Sequence, residues 1–150
     1  MRRAIGDDSR AVLALVPRLV TFGPPPWRDA GAMTETDLAV VGDALRSQTD
    51  DPAIFVAELD GAVIGFVHVH STVDYYRRRP HGHVADLVVA EGFEGLGVAT
   101  RLLAEAEDWA RRRGFDWLSI SVFGENVRAA GLYAHHGFRQ DTVRLLKPLA

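Results

Sequence analysis

The sequence contains no cysteine, and this absence excludes disulfide bonds and thiolate chemistry. It also lacks any apolar run approaching the ~20 residues that a membrane-spanning helix requires. The first ten residues, MRRAIGDDSR, carry Asp7 and Asp8 as well as Arg2 and Arg3, and no continuous apolar segment follows them, so we expect no signal peptide. Together these absences predict a cytoplasmic protein that has no membrane partner.

The chain has little excess charge of either sign. Its formal net charge is −3 over 150 residues, whereas a general nucleic-acid-binding protein is usually basic. We therefore expect no nucleic-acid partner, and the slightly acidic balance is compatible with a cationic substrate. Hydrophobic residues make up 47% of the chain, which is enough for a single domain over residues 1–150 with one sizeable core.

Hydrophobic periodicity predicts a chain of helices and strands. Four helices are expected. The first lies near residues 9–22, where Pro17 is a kink or an end, and the second begins after an N-cap at Thr34. The third spans 97–112 and the fourth spans 126–136. Strands are expected at 2–5, on both sides of Asp60-Gly61, at 83–89, at 117–122, and once or twice within 138–149. This order predicts an α+β fold of three layers around a mixed central sheet.

The stretch EGFEGLGVATRLL, residues 91–103, places three glycines directly before a helical pattern. Glycine lets the backbone approach a ligand without a Cβ in the way. The first amides of a helix have no intrahelical acceptor, and the helix dipole adds partial positive charge there. The segment Gly95–Ala99 and the hydroxyl of Thr100 are therefore predicted to hold a diphosphate. A tight turn without a ligand is the alternative interpretation.

Two other phosphate-binding motifs do not fit this stretch. Val98 and Ala99 stand where a P-loop requires Lys and Ser/Thr. Thr100 stands where the dinucleotide-binding motif G-x-G-x-x-G requires its last glycine. Nucleoside triphosphate hydrolysis and dinucleotide binding are therefore disfavoured.

A second stretch, NVRAAGLYAHHGF at 126–138, gives the pair of segments a family resemblance. The chain resembles the GNAT superfamily of N-acetyltransferases, whose first motif, [Gln/Arg]-x-x-Gly-x-[Gly/Ala], here reads Glu94-Gly95-Leu96-Gly97-Val98-Ala99. The later stretch of the family is matched by Asn126, Ala129, Leu132, Tyr133, Gly137 and Phe138. The resemblance implies a mostly antiparallel sheet of six to seven strands with a β-α-β core, transfer of an acetyl group to an amine, and a homodimer.

The resemblance also implies acetyl-CoA as the cofactor. Its pantetheine arm would lie along the backbone of Leu87, Val88 and Val89, where the strand at 117–122 splays away. Its diphosphate would lie on residues 94–100, and further contacts would come from Asn126, Arg128 and Ala129. Glu94 departs from the family's Gln or Arg. Its carboxylate could point to solvent, and Arg101 or Arg128 could either compensate for its charge or belong to a solvated helix face.

The resemblance gives Tyr133 the role of general acid, because a phenol pKa of about 10 lies near that of a thiol leaving group. Asp86 is the best candidate for the general base, acting directly or through water, with Glu58 and His83 as weaker ones. A structural hydrogen bond or an anchor for the substrate ammonium is the alternative role of Asp86. A backbone N–H within 87–89 is the expected oxyanion donor.

The acceptor is expected to be a primary amine of a small molecule or a peptide, attacked directly in a ternary complex. In this family the acceptor enters beside loops that correspond to residues 22–35 and 71–83. From these loops we predict Trp27, Glu35 and Tyr75 as substrate-binding residues.

An acyl-CoA sensor and a metal-binding protein are the alternatives to an acetyltransferase. Glu94 and the lack of a glutamate in WLSISV, residues 117–122, would suit a non-catalytic sensor that binds an acyl-CoA. His68, His70, His81 and His83 form two His-x-His pairs that zinc could bind. Because no carboxylate or cysteine is interleaved with them, we predict no metal site.

Overall fold

The computed structural model describes residues 1–47 and 49–149 as a sheet with helices on both faces. The strands are β1 (Arg2–Arg3), β2 (Ala53–Leu59), β3 (Ala62–Val73), β4 (Pro80–Val89) and β5 (Leu118–Ile120). The α-helices are α1 (Ser9–Leu15), α2 (Ala30–Arg46), α3 (Val98–Arg112) and α4 (Val127–His135), and short 3-10 segments span Gly6–Asp8 and Val16–Val20. Among the described residues, no helix combines the length and the apolar character needed to cross a bilayer.

The five strands lie side by side in chain order. All neighbouring pairs are antiparallel except β4 and β5, which are parallel because α3 connects them. The mixed, mostly antiparallel sheet and its β-α-β core are thus confirmed.

The predicted count of six to seven strands is wrong. Within the described part of the chain, the residues from 138 to 149 form no strand. Their β-favouring composition is not sufficient, since a strand forms only where its backbone groups meet a partner edge. Val143 and Leu145 are 63% and 87% exposed, so no apolar surface holds the segment in place either.

Two apolar layers flank the sheet, and they account for the three-layered architecture. On one face α3 buries Leu102, Leu103 and Trp109 against β2, β3 and β4. On the other face α1 and α2 bury Val12 and Val41 against the opposite side of β2, β3 and β4. The cleft described below opens on this second face.

Local signals in the sequence explain how the elements begin and end. Asp60 and Gly61 both have positive φ, 51° and 80°, as the tight turn between β2 and β3 requires. Pro17 ends the α-helical hydrogen bonding of α1, and the chain continues as a 3-10 segment that carries Arg18 toward the end of β4. The α2 helix begins one turn before the predicted cap at Thr34, because Asp29 Oδ1 accepts from Ala32 N at 2.6 Å.

Candidate active site

The strands β4 and β5 separate halfway along β4. Their pairing covers only Gly82–Val84 with Leu118–Ile120, although β4 continues to Val89. The carbonyl of Val89 points away from β3, since it accepts from Arg18 Nε at 2.8 Å. Because backbone carbonyls two residues apart on a strand point the same way, the carbonyl of Leu87 also points away from β3. The splay beside residues 87–89 that the sequence predicted is therefore present.

A cleft of about 930 Å³ opens beside this free edge. Its walls come from α2, the 3-10 segment with Arg18, the downstream half of β4, the loop after β5 and the start of α4. Of the predicted site residues, the cleft brings together Trp27, Asp86, Leu87, Asn126, Arg128, Ala129 and Tyr133.

Other predicted site residues lie outside this cleft. Glu35 is exposed on α2, and Tyr75 is 73% exposed in the β3–β4 connection, where its ring meets Tyr76 edge-on. The structure does not bring these two side chains to the cleft, and their substrate-binding role remains a prediction. Val88 turns its side chain into the core beneath α1 and α2, so only its backbone is available to a ligand.

The glycine-rich turn lies at the end of β4 and opens α3. Gly92, Gly95 and Gly97 have φ of 82°, 76° and 79°, the left-handed region that other residues enter at a cost. An added Cβ would meet nothing within 4 Å at any of the three. The glycines are therefore required by backbone conformation, and space is left above a helix start that has no side-chain cap. Val98, Ala99 and Thr100 begin α3 there, and the Thr100 hydroxyl lies 3.0 Å from Nε2 of His136.

The carboxylate of Glu94 is folded back into this turn. Its Oε2 accepts from Gly92 N at 2.8 Å, and its Oε1 pairs with Arg18 Nη2. Hydrogen bonds from its own amide and from Gly92, together with the charges of Arg18 and Arg128, lower the pKa of Glu94. The negative charge that departs from the family motif is thus paired mainly by Arg18, a residue that the sequence analysis did not single out.

Tyr133 lies on α4 and lines the cleft. Its ring packs edge-on against Phe138, with centroids 6.0 Å apart, and borders the core beneath α3. Burial, and then the negative charge of Asp86, raise the pKa of Tyr133 to about 12. The phenol is therefore protonated at neutral pH. The preceding Asn126 caps α4, because its Oδ1 accepts from Ala129 N at 3.2 Å.

Asp86 is held by a buried histidine. His68 Nδ1 lies 2.8 Å from Asp86 Oδ2, and the two side chains are 3% and 11% exposed. The other histidines of the two His-x-His pairs make separate contacts: His83 Nδ1 and His81 Nε2 both approach Ser119 Oγ, at 2.8 and 3.0 Å. Among the residues that the structure describes, no three potential ligands converge as a metal site would require.

The sequence analysis also missed Asp37, which lines the cleft from α2. Burial, and then the nearby charge of Asp86, raise the pKa of Asp37. A signal for this residue was present. Asp37 stands in line with Val41 and Ala44, both buried, at the spacing i, i+4, i+7. A carboxylate on the stripe that faces the sheet must therefore meet either a partner or a cleft.

Aromatic side chains form part of the wall of the cleft. Phe22 and Phe123 stack with ring centroids 5.3 Å apart, and the guanidinium of Arg28 lies over Phe123 at 5.6 Å. Trp27 adds a half-exposed ring to this wall. The cleft is thus lined by flat apolar surfaces as well as by carboxylates.

These features fit a thioester of coenzyme A. The free edge of β4 supplies backbone groups for an amide-containing arm, and the left-handed glycines leave the start of α3 open to an anion. The carbonyl of Val89 already accepts from Arg18, so Leu87 is the backbone position on this edge that is most available.

Comparison with known proteins shows the family of the chain. Residues 21–138 match the model of the acetyltransferase (GNAT) family. An aminoalkylphosphonate N-acetyltransferase of Salmonella typhimurium is 25% identical over 151 residues, covering 99% of this chain and 90% of that protein. A mycothiol acetyltransferase of Sanguibacter keddieii is 30% identical over 139 residues, covering 92% of this chain but only 42% of that protein.

The fold is similar to that of a solved aminoglycoside N-acetyltransferase, AAC(6')-Iy, in complex with CoA. The TM-score is 0.76 at 22% sequence identity, and the match covers 99% of this chain and 92% of that one. At this level of identity the likeness shows the fold alone.

Proposed function

The chain belongs to the acetyltransferase (GNAT) family and is an N-acetyltransferase; from this premise we propose that it moves an acetyl group from acetyl-CoA to a primary amine by direct attack in a ternary complex. The observation that carries the proposal is the cleft that Tyr133 and Asp86 both line beside the free edge of β4, close enough for the charge of Asp86 to raise the pKa of Tyr133. A proton donor, a proton acceptor and unpaired backbone groups face the same space.

Acetyl-CoA would be held mainly by main-chain groups. The backbone at 87–89 would bind the pantetheine arm, and the turn from Glu94 to Gly97, with the start of α3 at Val98–Thr100, would bind the diphosphate. Asn126, Arg128 and Ala129 border the cleft at the start of α4. When bound, the cofactor supplies a thioester carbonyl for attack and a thiol as the leaving group.

The pairing of Glu94 with Arg18 supports this assignment. A free carboxylate beside a diphosphate would repel it. Here the carboxylate accepts from Gly92 N and from Arg18, so it holds the turn in shape and its charge is compensated. Arg128 contributes to lowering the pKa of Glu94, and it extends the positive side of the cleft toward the same turn.

Tyr133 is proposed as the general acid. Like an ordinary phenol, its hydroxyl is protonated at neutral pH, and its raised pKa of about 12 makes it a weaker acid than a free tyrosine. We propose that it donates a hydrogen bond to the leaving sulfur and passes its proton as negative charge develops there. A backbone N–H within 87–89 is proposed to donate to the carbonyl oxygen as it gains charge.

Asp86 is proposed as the general base that takes a proton from the acceptor. Its carboxylate borders the cleft, and His68 holds one of its oxygens. Asp37 lies close enough for the charge of Asp86 to raise its pKa. Two neighbouring carboxylates form a site for a cation, and we propose that the ammonium group of the acceptor is held between them.

The acceptor is proposed to be a cationic amine that also has a flat or apolar part. The cleft that Asp37 and Asp86 line is also lined by Phe22, Phe123 and Trp27, and the first two rings stack. The related protein from Salmonella typhimurium is named for an aminoalkylphosphonate, and the solved relative is named for an aminoglycoside. Both names support a small-molecule amine here, with a peptide amine as the alternative acceptor.

The homodimer is also part of the proposal. The segment after α4 exposes Val143, Leu145 and Leu149 at 63%, 87% and 88%. Three exposed apolar side chains on one extended segment support its packing against a second copy of the chain.

The proposed function is tested with a panel of amines and acetyl-CoA, read by release of the thiol. We expect release with cationic primary amines and none with the matching alcohols, which lack the group that the two carboxylates would bind. Calorimetry with acetyl-CoA runs alongside as a check of binding. Folded protein that binds acetyl-CoA but releases no thiol with any amine would overturn the transferase proposal.

A further inference from the structure

Three arginines line the cleft, Arg18, Arg28 and Arg128, and their charges are engaged differently. Arg18 is paired with Glu94, and Arg128 lies near enough to the same carboxylate to help lower its pKa. Arg28 instead lies over the ring of Phe123, with its guanidinium carbon 5.6 Å from the ring centroid. Within the part of the chain that the structure describes, no carboxylate forms an ion pair with Arg28. The charge of this arginine therefore remains for a ligand.

The backbone around Arg28 is held in place just before α2 begins. Arg28 N donates to the carbonyl of Pro25 at 2.9 Å, which closes a turn. The next residue, Asp29, caps α2, because its Oδ1 accepts from Ala32 N at 2.6 Å. The carboxylate beside Arg28 in the sequence is therefore engaged by the helix start. A side chain that leaves a fixed backbone position loses less freedom on binding a ligand than one on a mobile loop.

The ring of Phe123 positions the guanidinium of Arg28 without using its hydrogen-bond donors. The attraction between a cation and an aromatic ring acts on the charge of the guanidinium and leaves its N–H groups free. Phe123 is itself held, because it stacks on Phe22 with ring centroids 5.3 Å apart. The planar fork of N–H groups on a guanidinium matches the two oxygens of a carboxylate or a phosphonate. Arg28 is thus suited to bind an anionic group of that kind.

The carboxylates proposed to hold the ammonium group of the acceptor lie elsewhere in the same cleft. Asp37 follows the helix cap at Asp29 by about two turns of α2, so the backbones of these two residues are roughly 12 Å apart along the helix axis. Asp86 lies near Asp37, because its charge raises the pKa of that residue. The long side chain of Arg28 shortens the gap but does not remove it. One cleft therefore offers a negative pair and a positive group, separated by the length of several bonds.

Resting on the function proposed above, we propose that the acceptor is a zwitterion, in which a chain of several bonds joins the primary amine to a carboxylate or phosphonate that Arg28 binds. Asp37 and Asp86 hold the ammonium end. The chain between the two charges lies in the part of the cleft that Phe22 and Phe123 line. Arg28 determines specificity and takes no part in proton transfer.

The charges of the cleft favour a zwitterion over a simple amine. An amine without an anionic group leaves the guanidinium of Arg28 unmatched, whereas a zwitterion adds a charge-assisted hydrogen bond to it. Glu125 also lines the cleft, but it is exposed and does not pair with Arg28. Because Arg28 is exposed as well, water screens its attraction for the anion. We therefore expect the anionic group to improve kcat/KM by about tenfold.

The test compares amines that differ only in the anionic group. The probes are β-alanine, γ-aminobutyrate and ε-aminocaproate, each measured beside its own carboxamide, with release of the thiol from acetyl-CoA as the readout. We expect the acid to be preferred over the amide, most strongly for the longest chain, because the shortest chain cannot reach both charged groups at once. Aminoalkylphosphonates of the same chain lengths form a second arm, which identifies the anion that Arg28 prefers.

Two substitutions of Arg28 assign the preference to this residue. Arg28→Gln should abolish the difference between acid and amide while leaving the KM of each carboxamide unchanged. Arg28→Glu should invert the preference, since a carboxylate at this position repels the acid. The matched control is Arg10→Gln, which removes the same charge from an exposed position on α1 outside the cleft and should keep the wild-type preference. The Kd for acetyl-CoA, measured by calorimetry, should be the same in all of these variants.

Equal kcat/KM for the anionic amines and their carboxamides in the wild-type protein, at every chain length, would overturn the inference. A preference that survives Arg28→Gln would also overturn it, because another group would then bind the anion. Weaker binding of acetyl-CoA by Arg28→Gln would have the same consequence, since Arg28 would then hold a phosphate of the cofactor. Failure of the proposed function is distinguishable from all three results, because the wild-type protein would then release no thiol even with the carboxamides.

Discussion

The two sides of the cleft are built from different parts of the chain. On the cofactor side the contacts proposed for acetyl-CoA are main-chain groups of β4 and of the turn into α3, exposed by left-handed glycines and an unpaired strand edge. On the acceptor side they are side chains: Asp37 from α2, Asp86 from β4 and Tyr133 from α4.

Because of this difference, the two sides of the cleft should tolerate different amino-acid substitutions. A site made of backbone groups depends on backbone conformation. Most side chains in the turn can therefore change as long as the glycines stay. Glu94, which stands where the family has Gln or Arg, is an example of such a change. Its charge is taken up by Arg18 from another element. A side-chain site depends on identity, because each group holds or moves one charge. Substitutions on the two sides should therefore affect different measured quantities.

The largest effect is expected from Tyr133→Phe. Because a positioned general acid contributes roughly 100-fold or more, kcat should fall by about that factor. The ring would still pack on Phe138, so the unfolding temperature and the Kd for acetyl-CoA should stay the same. Thiol release, thermal unfolding and calorimetry measure the three quantities.

The matched control is Tyr76→Phe, since Tyr76 is 84% exposed and lies outside the cleft. It should have no effect on kcat. Weaker binding of acetyl-CoA by Tyr133→Phe, with kcat retained, would contradict the division between the two sides.

The second effect is expected from Gly97→Ala, on the cofactor side. At φ of 79° an alanine is strained by about 1–2 kcal/mol. We expect the free turn to relax out of this conformation, so that restoring it on binding weakens the Kd for acetyl-CoA by about tenfold. At saturating acetyl-CoA, kcat should be nearly unchanged, because no proton-transfer group is altered. Calorimetry and saturation kinetics separate the two quantities.

Gly6→Ala provides the comparison for this substitution. Gly6 lies outside the left-handed region, and an added Cβ there meets nothing within 4 Å, so we expect wild-type affinity. Equal Kd values for Gly97→Ala and the wild type would show that the turn does not bind the cofactor.

The cofactor side could be predicted from the sequence because its signals are local. Glycines before a helix, and the later Asn126-to-Phe138 stretch, are patterns within short windows, and the elements that they predict are present as α3 and α4. The splay of β5 from β4 also followed from the family resemblance.

The acceptor side was predicted less well because its contacts join distant parts of the chain. Asp37 and Asp86 come from α2 and β4 to line the same cleft, and His68 meets Asp86 across 18 positions. No periodicity encodes such pairs. The missing strands in 138–149 have a related cause: composition indicates what a segment can form, whereas an available partner edge decides what it does form.

The smallest effect is expected from Asp37→Asn, and it has opposite signs for stability and for binding. The raised pKa of Asp37 means that folding favours its protonated form. That stabilisation is present at acidic pH and is lost as the pH rises through the raised pKa. At neutral pH the wild-type protein therefore carries an unfavourable charge beside Asp86, which asparagine removes.

We therefore expect Asp37→Asn to raise the unfolding temperature at neutral pH by about 2 °C, a small gain because half-buried like charges are partly screened. The gain should disappear as the pH falls below the ordinary pKa of an aspartate, where the wild-type carboxyl is neutral. KM for the amine should rise over the same neutral range, since one of the two carboxylates that hold the ammonium is gone. A variant that is more stable and binds the amine as well as the wild type would mean that Asp37 does not face the acceptor. The cation would then be held by Asp86 alone.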